Sequence, residues 1–229
     1  MAVLKTDFPN GGYNDRAILN KFYEANKPVG NIIYVSSLTG ASTNTGFSPD
    51  SPYATLAQAI SAATASNDDT IYLLPGHAES IGAAGIAVKK IGLTIIGLGT
   101  GSLRPTFTWH TTDAVLTISA ANTSIKNIRT TVDTDEIVSM ILVTGANVTL
   151  DTVDHIDAGA TQAIQWLLTT NAADYLTIKN CFHVQNTAAG SAQKWINLVG
   201  PDYARVIDNI FILTLAASAS SCTISGSTA

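Results

Sequence analysis

The sequence is poor in charge: Asp, Glu, Lys and Arg together make up 13 % of its 229 residues. Its twelve Lys and Arg are scattered and the net charge is −5, so no basic stripe is offered to nucleic acid. Cysteine is nearly absent. Cys181 and Cys222 lie 41 residues apart, which argues against a disulfide framework, and Cys181 falls in an apolar position that suits a buried free thiol. No apolar run approaches the ~18 residues of a membrane span. The opening stretch, MAVLKTDFPNGG, lacks the apolar core of a secretory signal. A nucleotide loop, a CxxC pair and a serine-centred nucleophile motif are also missing. Mean hydropathy is nevertheless +0.23, with Ala, Thr, Ser and Ile abundant. Such a chain buries surface rather than staying disordered.

What is present is a repeat. LTIKNCF (residues 176–182) recurs in degenerate form as LTIIGLG (93–99), TSIKNIR (123–129), VTLDTVD (148–154) and RVIDNIF (205–211). The third positions are Ile95, Ile125, Leu150, Ile178 and Ile207, spaced by 30, 25, 28 and 29 residues. A period of this length implies a solenoid. Each copy alternates apolar and polar residues, meets a small or turn-forming residue (Gly97, Asn127, Thr152, Asn180, Asn209), then resumes apolar. That pattern is strand, corner, strand, and paired runs of helical period are missing. A parallel β-helix follows, each turn one rung. The fourth positions, Ile96, Lys126, Asp151, Lys179 and Asp208, alternate in charge over their last four members. Rungs about 4.8 Å apart would set opposite charges beside each other. Asn180 is expected to satisfy backbone groups at its corner.

Residues 1–30 stand outside the repeat and read as an arm with a short helix, Asp15–Ala25, N-capped by Asn14. Its Leu4, Phe8, Tyr13, Phe22 and Tyr23 are the residues expected to bind a partner. The remainder, 31–229, reads as one β-helix. It begins with a strand at Asn31–Ser36. A helix at about 53–65 follows Asp50 or Ser51, with Leu56, Ala59, Ile60 and Ala63 on one face, and serves as a lid on the open end. Regular rungs run over about 70–213, with upstream strands at Val115–Ile118, Met140–Val143, Ile164–Leu168 and Trp195–Val199. Segments such as Thr131–Val138 and Asn186–Gln193 should project. Residues 216–229 form a partial last rung whose outer end we expect another chain to cover.

Two stretches carry a resemblance. IYVS through GFSPDSPYATL to Ala59-Ile60, and DTIYLLPG (69–76), resemble the entry segment and first rung of right-handed parallel β-helix proteins of the pectate-lyase-like class; LTIKNCF resembles their interior rungs. The resemblance covers about 31–213 and speaks to fold. Many such chains are phage or prophage virion components, which implies a non-enzymatic virion protein. The expectation is a capsid decoration (cement) protein, made in the host cytoplasm and placed on the capsid surface. There it would bind the major capsid protein lattice, as a homo-oligomer, with a trimer implied by the resemblance. No cofactor, metal, nucleic acid or membrane is expected. The alternative is a tail-spike-type glycan-binding protein or polysaccharide depolymerase. Fold alone does not choose between them.

The chemistry-bearing residues admit structural readings. Lyases of the resembled class use clustered Asp and an Arg or Lys base; Asp151, Asp154 and Asp157 with Arg129 come nearest, and we read them as a structural ion ladder. Asp133, Asp135 and Glu136 share a loop and read as solvated acids rather than a glycosidase pair. His155 and His183 share a column on neighbouring rungs and read as a ladder pair rather than a metal site. His77 near Glu79 reads as a hydrogen-bonding turn group. Trp109, Trp166 and Trp195 are possible sugar platforms, though Trp166 and Trp195 fit better as a stacked pair at an edge or interface.

Overall fold

The structure is a computed structural model and describes residues 30–134, 136–156, 163–185, 194–213 and 222–227. The arm, with Leu4, Phe8, Tyr13, Phe22 and Tyr23, lies outside the described residues. The chain forms a parallel β-solenoid of about five turns with one short helix.

The strands follow in chain order. The first turns hold β1 (Ile32–Val35), β2 (Thr70–Leu73), β3 (Ala78–Ile81), β4 (Ile86–Val88), β5 (Thr94–Gly97), β6 (Thr106–Trp109) and β7 (Leu116–Ile118). The middle turns hold β8 (Ser124–Val132), β9 (Ile141–Val143), β10 (Thr149–Ile156) and β11 (Gln165–Thr169). The last hold β12 (Thr177–Lys179), β13 (Phe182–Gln185), β14 (Lys194–Val199), β15 (Arg205–Ile207), β16 (Ile210–Leu213) and β17 (Cys222–Ser227). Three parallel faces result. The first runs β1-β2-β5-β8-β10-β12-β15, and the third runs β17-β14-β11-β9-β7-β4. The second runs β3-β6-β8-β10-β13-β16, with β8 and β10 passing through the corner to serve both it and the first.

Inside, like stacks on like. Ile33, Ile71, Ile95, Ile125, Leu150 and Ile178 form one file on the first face, each buried. Ile86, Leu116, Ile141, Leu167 and Ile196 form another on the third. Each such side chain contributes roughly 1.5–3 kcal/mol by burial, and the parallel register repeats that gain at every rung.

The expected repeat holds through its first four copies and slips in the fifth. Val206, not Ile207, stacks on Ile178; Ile207 faces Lys179. The corner explains the slip. Asn127, Thr152, Asn180 and Asp208 occupy it in the left-handed region, with φ of 54–58°. Asp208 therefore takes the turn assigned above to Asn209. Asn209 falls one place later and braces the neighbouring rung, donating from Nδ2 to the Ile178 carbonyl (3.0 Å) and accepting the Cys181 amide on Oδ1 (2.9 Å). The charge file likewise ends Lys126, Asp151, Lys179, Ile207, and the ion pair within it is Lys179 to Asp151 at 3.3 Å.

Asn180 does not serve corner backbone groups; its amide donates to Asp151 Oδ1 at 2.9 Å. That duty falls to Asn127, which donates to the carbonyls of Gly97 and Gly99. The left-handed backbone of Asn180 (φ 56°) still matters, because a Cβ-bearing residue other than Asn or Asp is strained there. Asn180→Ala is expected to cost about 1–2 kcal/mol and Asn180→Gly less. Equal losses in chemical denaturation would show that the backbone is not the source.

The lid is α1 (Leu56–Ala62), shorter than the expected 53–65. Its N-cap is Thr55, not Asp50 or Ser51. Thr55 and Gln58 form a capping box, each side chain bonding the other's backbone amide. Leu56, Ala59 and Ile60 are buried against β1, β2 and β4, where among the described residues no earlier strand covers the third face. At the other end β17 pairs with β14, continuing the third face.

Candidate ligand-binding face

The solvent side of the first face has four parallel files. One is hydroxyl-rich: Thr94, Ser124, Thr149 and Thr177, all half-buried. Next to it runs the Lys126, Asp151, Lys179 file. The Asn127, Thr152, Asn180, Asp208 corner bounds one side.

The opposite side is bounded by a second left-handed corner, three residues before the inner file. Its members are Asp68, Gly92, Asn122, Asn147, Tyr175 and Tyr203, with φ between 52° and 80°. Carbonyls of the next rung hold Gly92, Asn122, Asn147 and Tyr175 in place: Asn122 N donates to the Ala146 carbonyl and Tyr175 N to that of Asp202. Asn suits this backbone, and Asn147 Nδ2 also bonds Asn122 Oδ1 at 2.7 Å. Tyrosine does not suit it, because a bulky Cβ substituent there costs roughly 1–2 kcal/mol. Yet the last two rungs carry Tyr175 and Tyr203. Their rings stack with centroids 5.1 Å apart and planes 11° from parallel. They are 58 % and 71 % exposed, so burial does not offset the strain. Asp174 and Asp202 flank them, the Asp202 amide donating to Asp174 Oδ1 at 2.8 Å.

The tyrosine pair was missed in the sequence. Part of the signal was legible: Gly92, Asn122 and Asn147 stand three places before Ile95, Ile125 and Leu150, and Tyr175 takes that place before Ile178; Tyr203 was hidden, because the expected fifth inner residue, Ile207, has Ala204 there.

The three tryptophans are not platforms. Trp109, Trp166 and Trp195 are all buried inside the coil. Trp166 and Trp195 do occupy neighbouring rungs, following the Gln165–Lys194 register, but as core rather than as an edge or interface pair. Each is buried next to an inner-file residue, Leu167 or Ile196, so strict alternation is broken there. Trp109 Nε1 donates to the Met140 carbonyl (3.0 Å) and Trp166 Nε1 to Thr130 Oγ1 (3.2 Å). His155 and His183 pair in register, as expected. His183 lies stacked on Phe211 (4.6 Å) and edge-on to Trp166 (4.4 Å). Burial, with the neighbouring His155 adding to it, pushes His183 down to about 3, so it is neutral in the folded chain.

His77 accepts the Ser37 amide on Nδ1 (3.0 Å), so Nε2 carries the proton and donates to Glu79 Oε2 at 3.1 Å. Glu79 Oε2 in turn accepts the Leu56 amide, fastening the lid. Cys181 is a buried free cysteine whose thiol burial pushes up to about 12.

The acids do not converge. Asp151 is held by Asn180, Thr152 and Lys179; burial would raise it, and those hydrogen bonds outweigh burial and lower it. Asp154 is bonded by Arg104, two turns earlier, and accepts the Phe182 amide on Oδ1 (3.2 Å). Asp157 and Asp135 lie outside the described residues. Asp133 bonds the exposed His110 at 2.7 Å, and Glu136 is exposed. Among the described residues no three His, Cys, Asp or Glu gather as a metal site, and no helix is long and apolar enough to cross a membrane.

No family model matches the chain, and no curated protein matches it in sequence. A solved structure titled rhamnogalacturonan lyase superimposes with a TM-score of 0.55 at 14 % identity, over 86 % of this chain. This chain spans 60 % of the length of that structure. At this identity the likeness is one of fold: a parallel β-solenoid.

Proposed function

We propose that the chain is a glycan-binding β-solenoid, with the first face and its tyrosine corner as the binding surface. The observation that carries this reading is the exposed, parallel tyrosine pair held on a backbone that favours Asn. Tyrosine offers a flat apolar ring with a polar tip, which suits the C–H face of a sugar and the hydroxyls around it. The carboxylates of Asp174 and Asp202 and the neighbouring hydroxyl file supply hydrogen-bond partners for a chain lying along the rungs. A carbohydrate ligand also has a precedent in this fold, in the structure titled rhamnogalacturonan lyase. The arm, one of the features behind the decoration reading, lies outside the described residues. No bond-breaking step is assigned, because the acids above are already committed to structural partners or open to solvent.

The test is a paired substitution. Tyr175→Asn with Tyr203→Asn should leave stability unchanged or raise it, since Asn takes the left-handed backbone more readily. The same pair should weaken polysaccharide binding about tenfold in affinity electrophoresis, at ~0.5–1.5 kcal/mol per ring. Unchanged affinity across a panel that the parent binds would remove the tyrosines from the site. Shortened or unsaturated products after incubation would show a depolymerase instead.

A further inference from the structure

On the outer side of the second face, Thr106, Arg129, Asp154 and Phe182 succeed one another on adjacent rungs. Arg104 enters from the segment before β6 and passes the Arg129 rung to bond Asp154. The Asp154 carboxylate is thereby used on both oxygens, by Arg104 and by the Phe182 amide. Arg129, its register neighbour, is left with no carboxylate partner among the described residues. The Nε atoms of Arg129 and Arg104 are both buried and unbonded. Two guanidinium groups thus share one carboxylate, and the surplus positive charge is half-buried. An uncompensated charge held partly out of water is costly, and buried unbonded donors add to the cost.

We infer that Arg129, with Arg104 behind it, forms a binding site for a small oxyanion: a carboxylate, sulfate or phosphate group. A planar guanidinium fork matches such groups in charge and geometry. An anion seated there would neutralise the surplus charge and pair the free donors. The site involves neither Tyr175 nor Tyr203 and goes beyond the glycan reading.

Thermal unfolding of the full chain with sodium sulfate, sodium phosphate or sodium glucuronate, against chloride at matched ionic strength, tests it. At least one oxyanion should raise the melting temperature by about 3–6 °C at ten times its Kd. A response to glucuronate alone would point to an acidic sugar, and a response to sulfate and phosphate to a tetrahedral group; either supports the site. Arg129→Gln should melt no lower than the parent in chloride, because it removes an uncompensated charge, and should lose the oxyanion response. Lys126→Gln, on the first face, should keep it. No response to any of the three salts, or a full response in Arg129→Gln, would overturn the inference. Either failure leaves the tyrosine-pair experiment standing.

Discussion

Asp69→Ala is expected to lower the unfolding free energy by about 3–5 kcal/mol, measured by chemical denaturation near neutral pH. Asp69 is almost fully buried at the mouth of the coil. Its Oδ1 accepts the Asn31 amide and Asn67 Nδ2, and its Oδ2 accepts the Thr64 amide, each at 2.6 Å. One carboxylate therefore joins the entry to β1, the exit from α1 and the start of β2. Alanine leaves two backbone donors unpaired as well as deleting charge-assisted bonds, which is why the cost should exceed that of a surface ion pair. Asp69→Asn should lie between, since one oxygen survives and the new amide faces donors. A loss under about 1 kcal/mol for Asp69→Ala would show that water replaces the carboxylate without penalty. Burial alone would raise this carboxyl, but the hydrogen bonds from Thr64, Asn31 and Asn67 outweigh it and hold it below its ordinary 3.8. Its contribution is therefore fully present above that value and is lost only as pH falls through the lower folded value.

Asp69 marks a boundary in what the sequence made legible. Ile95, Ile125, Leu150 and Ile178 announce themselves because burial on one face imposes a repeating residue type, and the rung spacing follows. The fifth copy was misplaced by one residue because Asp208 and Asn209 suit a left-handed corner equally, and composition cannot separate them. The lid was placed correctly by its apolar stripe, but its start was not, since Thr55 and Gln58 were not recognised as a capping box. Asp69, Arg104 and the tyrosine pair share a different obstacle. Their roles depend on partners 38, 50 and 28 residues away, which only the register between turns brings together. The tryptophans erred the other way: large rings on adjacent strands suit a surface platform as well as a core, and Trp166 and Trp195 are buried beside the inward Leu167 and Ile196, out of the alternating phase that a sequence pattern reports.

Acid should destabilise this solenoid well before its carboxylates titrate, and His183 is the reason. Its imidazole sits at zero exposure, with both ring nitrogens unbonded, enclosed by Trp166, Trp195 and Phe211. The titratable neighbour facing it is His155 on the preceding rung. Folded, it titrates at about 3, against 6.5 for the free side chain. The unfolded chain therefore binds the proton first. Stability is fully present above about 6.5 and declines as pH falls from there toward 3, by up to ~1.4 kcal/mol per unit once the unfolded side chain is charged. From pH 6.5 to 4 the expected loss is on the order of 3 kcal/mol. Asp69 and Asp151 contribute little in that window, because their loss sets in only as pH falls to the unfolded value of 3.8, at its lower edge. His183→Phe separates this site from the rest. A phenyl ring can stack on Phe211 in the same place and carries no orphan nitrogens, so the variant should be at least as stable at pH 7. It should also hold its denaturation midpoint nearly level where the parent declines. Parallel decline of parent and variant between pH 6.5 and 4 would show that His183 is not the acid-sensitive group.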